Sequence, residues 1–168
     1  PENEAACFLF EIFKGLNYLH TRSPCIIHRD IKPENILFVN GRAKLADFGW
    51  CNLKDGVRTT YCGTPDYLAP EMVRENGHTE KLDIWTMGVL AFELLNGKAP
   101  FAPSNTVKDK KRAQEILEEN ILNNYPHFCQ ENLSQEARDM VSSMLQKEPT
   151  LRPSAGELLN HPWFRLQL

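Results

Sequence analysis

Eight consecutive residues, His28-Arg29-Asp30-Ile31-Lys32-Pro33-Glu34-Asn35, bring a carboxylate, an ammonium and an amide close together along the chain, and Asp47-Phe48-Gly49 follows shortly after. Between the two segments, Ile36-Leu37-Phe38-Val39 and Arg42-Ala43-Lys44-Leu45-Ala46 flank Asn40-Gly41. Asn-Gly between two β-prone runs signals a hairpin, because both turn residues must reach positive φ. A two-residue turn there pairs Val39 with Arg42, Leu37 with Lys44 and Asn35 with Ala46. Asn35 and Asp47 then become diagonal neighbours at the open end of the ribbon. An amide oxygen beside a carboxylate is a hard-oxygen site of the kind magnesium accepts when phosphate and water supply its other ligands. Asp30 adds an acceptor for a hydroxyl proton, and Lys32 adds a cation for a moving phosphate. Those are the parts that phosphoryl transfer needs. Taken singly, each residue has a plainer reading: Asp30 as a cap, Asn35 as a turn residue, Asp47-Phe48-Gly49 as a common tripeptide. Their order and spacing favour the chemical one.

The elements that must hold these residues are mostly helical. Residues 4–20 carry Ala5, Phe8, Leu9, Ile12, Phe13, Leu16 and Leu19 at amphipathic helical spacing, and Pro24 lies beyond the end. Residues 82–95 are apolar nearly all round, which predicts a buried central helix closed by Gly97. Further helices are predicted over about 109–122, after Ser134 with Met140, Val141, Met144 and Leu145 inward, and from the capping box Ser154-Ala155-Gly156-Glu157. Asp47 to about Glu71 reads as a polar loop, and a loop of that length in a compact domain is functional or disordered. The fold class expected is mainly α with a small β-hairpin, and no repeat or low-complexity tract interrupts it.

The 168 residues suit one domain with a real core, and 42% hydrophobic with 24% charged residues is ordinary for a globular protein. A formal charge of −3 argues against a nucleic-acid partner. The five cysteines are scattered, which disfavours zinc and fits free thiols in a reducing intracellular compartment. No apolar run reaches membrane-spanning length, so no membrane partner is expected. The start at Pro1-Glu2-Asn3-Glu4, without methionine and directly into a helix, reads as a cut through a longer protein.

His28-Arg29-Asp30-Ile31-Lys32-Pro33-Glu34-Asn35, Asp47-Phe48-Gly49 and Ala69-Pro70-Glu71, in that order, resemble the catalytic loop, magnesium loop and activation-segment end of eukaryotic protein kinases. The resemblance implies a kinase C-lobe lacking the N-lobe, an α+β kinase fold in part, over residues 1–168. Its catalytic loop would be 28–35, its magnesium loop 47–49 and its activation segment 47–71. Asp30 would be the catalytic base and Lys32 would stabilise the transferring phosphate of ATP. Asn35 and Asp47 would hold Mg2+, with Glu34 beside the nucleotide and facing a basic substrate residue. His28 and Phe48 would stack to link the lobes. Lys32-Pro33-Glu34 with Gly63-Thr64-Pro65 resembles the serine/threonine class, in which Thr64 bridges Lys32 and Asp30 and shapes the pocket after the phosphoacceptor. Glu93 with Glu34 would read an upstream arginine, implying basic protein substrates. Glu71 and Arg152 would form a structural ion pair, and Asp83 would hold the catalytic-loop backbone. Arg29 beside the base implies control by phosphorylation, at Thr60 and less strongly Thr59, since a phosphothreonine suits a bidentate arginine.

At finer grain, Asp47-Phe48-Gly49-Trp50, Arg58-Thr59-Thr60-Tyr61-Cys62-Gly63-Thr64 and Asp66-Tyr67-Leu68 look like the Aurora branch. Pro65, Ala69, the tight Asn40-Gly41 turn and the polar length over 105–124 depart from it. The branch implies a cell-cycle enzyme with an activating regulatory protein, in the cytoplasm, the nucleus or on the spindle. No Gly-rich loop or Val-Ala-x-Lys strand occurs in the sequence, and in kinases those parts precede this segment. The isolated piece is therefore expected to be inactive, with an apolar face exposed towards the absent N-lobe. The competing reading is a pseudokinase or lobe-only binding module. It is disfavoured because Asp30, Asn35 and Asp47 are all retained.

Overall fold

The structure is a computed structural model that describes residues 1–49, 52–53 and 65–168. Helix α1 (Glu2–His20) leads to a short strand β1 (Ile26–Ile27), a single 3-10 turn over Pro33–Asn35, and the ribbon β2 (Ile36–Val39) and β3 (Arg42–Leu45). Strand β4 (Asn52–Leu53) pairs back on β1, antiparallel, with Ile26 opposite Leu53 and Ile27 opposite Asn52. A 3-10 turn over Pro65–Tyr67 and α2 (Pro70–Val73) follow, so the predicted long loop finishes in two short helical turns. The remainder is α3 (Lys81–Asn96), α4 (Lys110–Asn123), α5 (Gln135–Met144), α6 (Ala155–Leu159) and α7 (Pro162–Gln167).

Helix α3 is the axis of the molecule. Every residue from Leu82 to Phe92 is buried, polar Asp83 and Thr86 included, as an apolar stretch without a hydrophilic face requires. Gly97 closes it in the left-handed region at φ 78°, returning its N–H to the Glu93 carbonyl. One side of α3 receives α5 at Gly88, where an added Cβ would lie 2.9 Å from both Met144 Cβ and a Leu145 methyl. Trp85 stacks on Phe101 at 5.4 Å and donates its indole N–H to the Leu68 carbonyl at 2.9 Å. That bond ties the segment around Leu68 to the core.

Helix α1 buries Ala6, Leu9, Ile12, Phe13 and Leu16 against α3, α6, α7 and β3. Its first residue is a clamp: Glu2 accepts bonds from the Ser134 amide and hydroxyl, the Trp163 indole and the Gln167 amide. It thereby joins the starts of α1 and α5 to both ends of α7. Ser134 caps α5, and Ser154 with Glu157 forms the predicted capping box of α6.

The ribbon has the predicted register, with Ile36 opposite Leu45, Leu37 opposite Lys44, Phe38 opposite Ala43 and Val39 opposite Arg42. Asn40 and Gly41 sit at φ 52° and 75°, the paired positive values of a type I′ turn. Ile36 and Ala43 face the core, and Phe38 lies on Phe8 of α1 with ring centroids 5.5 Å apart. Leu37, Phe38 and Val39 nonetheless keep much of their surface exposed, at 54%, 68% and 41%.

Candidate active site

The segment that enters the site is hung from α3. Asp83, fully buried near the start of α3, accepts the His28 amide on Oδ2 and the Arg29 amide on Oδ1, both at 2.8 Å. A buried carboxylate is tolerated only when donors surround it, and here successive backbone N–H groups supply them. Arg29 is thereby held at φ 72°, a conformation worth roughly 1–3 kcal/mol of strain in a non-glycine residue. That kink turns the chain so that Asp30 follows towards Asn35 and Lys32. Asp83 was expected in this role from the resemblance, and the two bonds supply the physical reason.

Asp30 is the meeting point of the short-range contacts. Its Oδ2 accepts from the Asn35 amide at 2.7 Å and lies 3.1 Å from the Lys32 ammonium. The same Asn35 nitrogen donates to the Asp30 carbonyl at 2.8 Å. With both amide protons committed to Asp30, the Asn35 oxygen is the end that can meet a cation. The Asn35 carbonyl accepts the Ala46 N–H at 2.8 Å, so the ladder runs one pair beyond the ribbon and delivers Asp47 next to it. Asp47 takes φ 58° and is exposed, and its Oδ1 accepts the Gly49 N–H at 3.1 Å. Hard oxygens from an amide and an exposed carboxylate, on adjoining backbone, are a donor set that fits magnesium.

His28 knits the two arms together. Its Nε2–H donates to the Ala46 carbonyl at 3.1 Å, and its Nδ1 faces the Asp30 amide at 3.4 Å, which assigns the tautomer. The ring also meets Phe48, centroids 5.1 Å apart and tilted by 59°. Phe48 itself is about half exposed.

A second group of carboxylates gathers around Tyr67. The phenol donates to Glu93 at 2.5 Å. Burial first, then this bond and the charges of Glu93, Glu34 and Asp66, push the Tyr67 phenol far above its ordinary value. Burial and the neighbouring Glu93 likewise raise Asp66. The charge of Glu34, distant in sequence, thus acts on the same phenol that is hydrogen-bonded to Glu93. From the sequence Tyr67 was named only within Asp66-Tyr67-Leu68, as part of the branch resemblance, and no role was assigned to it.

The Glu71 carboxylate and the Arg152 guanidinium meet fork to fork, with both bonds at 2.7 Å and both groups buried. Arg152 also donates to the Lys81 and Gln146 carbonyls, each at 2.9 Å, and lies 5.0 Å over the Trp85 ring. Thr59, Thr60 and Thr64, with Trp50 and Arg58, lie outside the described residues. No helix among the described residues is long and apolar enough to cross a membrane.

Residues 1–164 match the family model for the protein kinase domain. Among curated proteins, the chain is 42% identical over 166 residues to an Aurora kinase of Schizosaccharomyces pombe, covering 96% of this chain and 43% of that protein. It is 38% identical over 166 residues to an Aurora kinase of Dictyostelium discoideum, with 98% and 40% covered. Similarity extends to the serine/threonine-protein kinase DCLK2 of Mus musculus, at 38% over 170 residues, with 96% and 21% covered. The chain spans about two fifths of the length of the Aurora relatives.

Proposed function

Because the chain belongs to the protein kinase domain family, we propose that it is the catalytic lobe of an ATP-dependent, Aurora-like serine/threonine kinase. The observation that carries this reading is the single Asp30 oxygen on which the Asn35 amide and the Lys32 ammonium converge. A carboxylate so fixed presents its other oxygen to a substrate hydroxyl.

In that reading the serine or threonine oxygen attacks the γ-phosphorus of ATP, the bond to the β–γ bridging oxygen breaks, ADP leaves, and the hydroxyl proton passes to Asp30. Lys32 sets positive charge beside the phosphoryl group as it moves. Asn35 and Asp47 would hold Mg2+, which when bound neutralises phosphate charge. Glu34 lies beside the nucleotide and, with Glu93, faces a basic substrate residue. The carboxylates around Tyr67 support that preference, because a guanidinium entering there is attracted by Glu34, Glu93 and Asp66 together. Thr64 shapes the pocket after the phosphoacceptor. Phosphorylation at Thr60, or secondarily Thr59, orders the activation segment through Arg29. An N-lobe supplies the remaining ATP contacts and covers the exposed Leu37, Val39 and Phe48, an activating regulatory protein acts on the enzyme, and the setting is intracellular: cytoplasm, nucleus or spindle.

The test uses the full-length protein containing this chain, with Mg-ATP and an arrayed set of peptides. Wild type is expected to phosphorylate serine or threonine with a preference for upstream arginine. Asp30→Asn should lower turnover by about a hundredfold or more. Glu93→Gln should weaken the arginine preference with kcat little changed. Absence of phosphorylation by wild type would overturn the reading in favour of a binding module.

A further inference from the structure

We propose that Lys147 is a positioning residue for substrate selection, acting through α4 on the Pro65–Tyr67 turn, around which the arginine-attracting carboxylates gather; the proposal rests on the kinase reading above. Lys147 follows α5, and its ammonium donates to the Ile121 carbonyl in the last turn of α4 at 2.7 Å. Three rings close on it, with centroids at 4.2 Å for Phe101, 5.2 Å for Trp85 and 5.7 Å for Tyr125. Asn124, the residue after α4, returns its N–H to Asn120. The Ile121 carbonyl is therefore the first that the helix leaves open, and Lys147 fills it. Helix α4 has no basic residue in its own last turn. Its charges run against the helix dipole, with Lys110, Lys111 and Arg112 opening it and Glu118 and Glu119 in its second half. A cation brought from another element supplies what the helix itself withholds.

Two routes lead from this cage to the substrate side. Helix α4 packs directly against the Pro65–Tyr67 turn and against α2. Phe101 stacks on Trp85, whose indole N–H holds the Leu68 carbonyl just beyond that turn. Asn120 donates to the Phe101 carbonyl at 3.0 Å, so the end of α4 and the cage are anchored to each other. Within the turn, Tyr67 bonds Glu93 and feels the charges of Glu34 and Asp66. Removing the ammonium leaves the carbonyl of fully buried Ile121 without its donor and takes the cation from among the rings. The last turn of α4 then loosens, and the wall it gives to the Pro65–Tyr67 turn loosens with it. Asp30 and its partners are held separately, through Asp83 and the ribbon, so the effect falls on peptide selection and spares phosphoryl transfer. A lysine that merely solvated the surface would not turn its ammonium inward onto three rings.

The experiment compares Lys147→Met with Lys147→Arg in the full-length protein, since methionine keeps most of the stem and arginine keeps a donor and a cation. Should the methionine variant not fold, Tyr125→Ala, which removes the exposed ring of the cage, takes its place, with Tyr125→Phe as its conservative partner. Turnover and KM are measured for ATP and for two peptides, with and without the upstream arginine. Exchange of the Leu68 amide, which bonds the Pro65 carbonyl, is followed beside that of the α3 interior. In the disabled variant KM for the arginine peptide should rise about fivefold, while kcat and the other two KM values stay within about twofold. Leu68 exchange should accelerate about tenfold with the α3 interior unchanged. The conservative variant should restore both. An unchanged KM for the arginine peptide, an equal rise for both peptides, unchanged Leu68 exchange, or failure of the conservative variant to restore them overturns the proposal. Absence of turnover or of arginine preference in wild type condemns the reading above alone, and Leu68 exchange still judges the hold of Lys147 on the turn.

Discussion

Arg152→Met is expected to be among the most damaging single changes in the chain. The substitution keeps most of the aliphatic stem and removes the guanidinium, which is fully buried. Glu71, at 3% exposure, then keeps its carboxylate without the two 2.7 Å bonds that neutralise it. The Lys81 and Gln146 carbonyls lose donors at the same stroke. Breaking a buried pair from one side costs about 3–5 kcal/mol, most of it the burden of the stranded charge. For a domain of this size that corresponds to roughly 6–20 °C in Tm. Urea unfolding of the full-length protein followed by tryptophan fluorescence suits the measurement, since Trp85 lies directly beneath Arg152. Arg152→Lys should recover only part of the loss, because a single ammonium cannot reach both carboxylate oxygens and two carbonyls. The double variant Glu71→Met with Arg152→Met should be less destabilised than the sum of the single variants by at least about 1.5 kcal/mol. A loss below about 1 kcal/mol for Arg152→Met, or additive single variants, would refute the stranded-charge reasoning.

Three further outcomes are expected. Gly88→Ala drives a methyl to 2.9 Å from Met144 and Leu145 and should cost about 1–3 kcal/mol through overpacking, read as a lower urea midpoint. Gly41→Ala meets no atom within 4 Å, so its cost of about 1–2 kcal/mol should come wholly from the φ of 75° and should vanish in Gly41→Asn. Lys147 donates to the Ile121 carbonyl at 2.7 Å beside the Phe101, Trp85 and Tyr125 rings, and burial, then Arg152 and Arg74, push it down to about 8. Its ordinary value is 10.5, so between about 8 and 10.5 the unfolded chain binds more protons than the fold. Stability of wild type relative to Lys147→Met should therefore rise with pH across that window, and unfolding midpoints that fall instead would contradict it.

Much of the active strip could be read from the residues because its constraints are local. Asn40-Gly41 admits essentially one tight turn, and the turn dictates the pairing out to Asn35 and Ala46. Helix α3 was equally plain, since an unbroken apolar stretch has nowhere to go but inside. Contacts made across the fold left weaker marks. Strands β1 and β4 are two residues each, too short to show an alternation. Glu2 looks like an ordinary first-turn acid, yet it gathers donors from Ser134, Trp163 and Gln167. Tyr67 and Lys147 are single side chains whose meaning lies in hydrogen-bond partners 26 residues away. No periodicity announces such pairings.

The backbone bond between Asn35 and Ala46 closes the ribbon into a ring of fixed circumference. One residue inserted into either arm would move Asp47 off its neighbour and turn Phe38 away from Phe8, so length here can change only in matched steps on both sides. Variation in chain length among related proteins should therefore spare the ring.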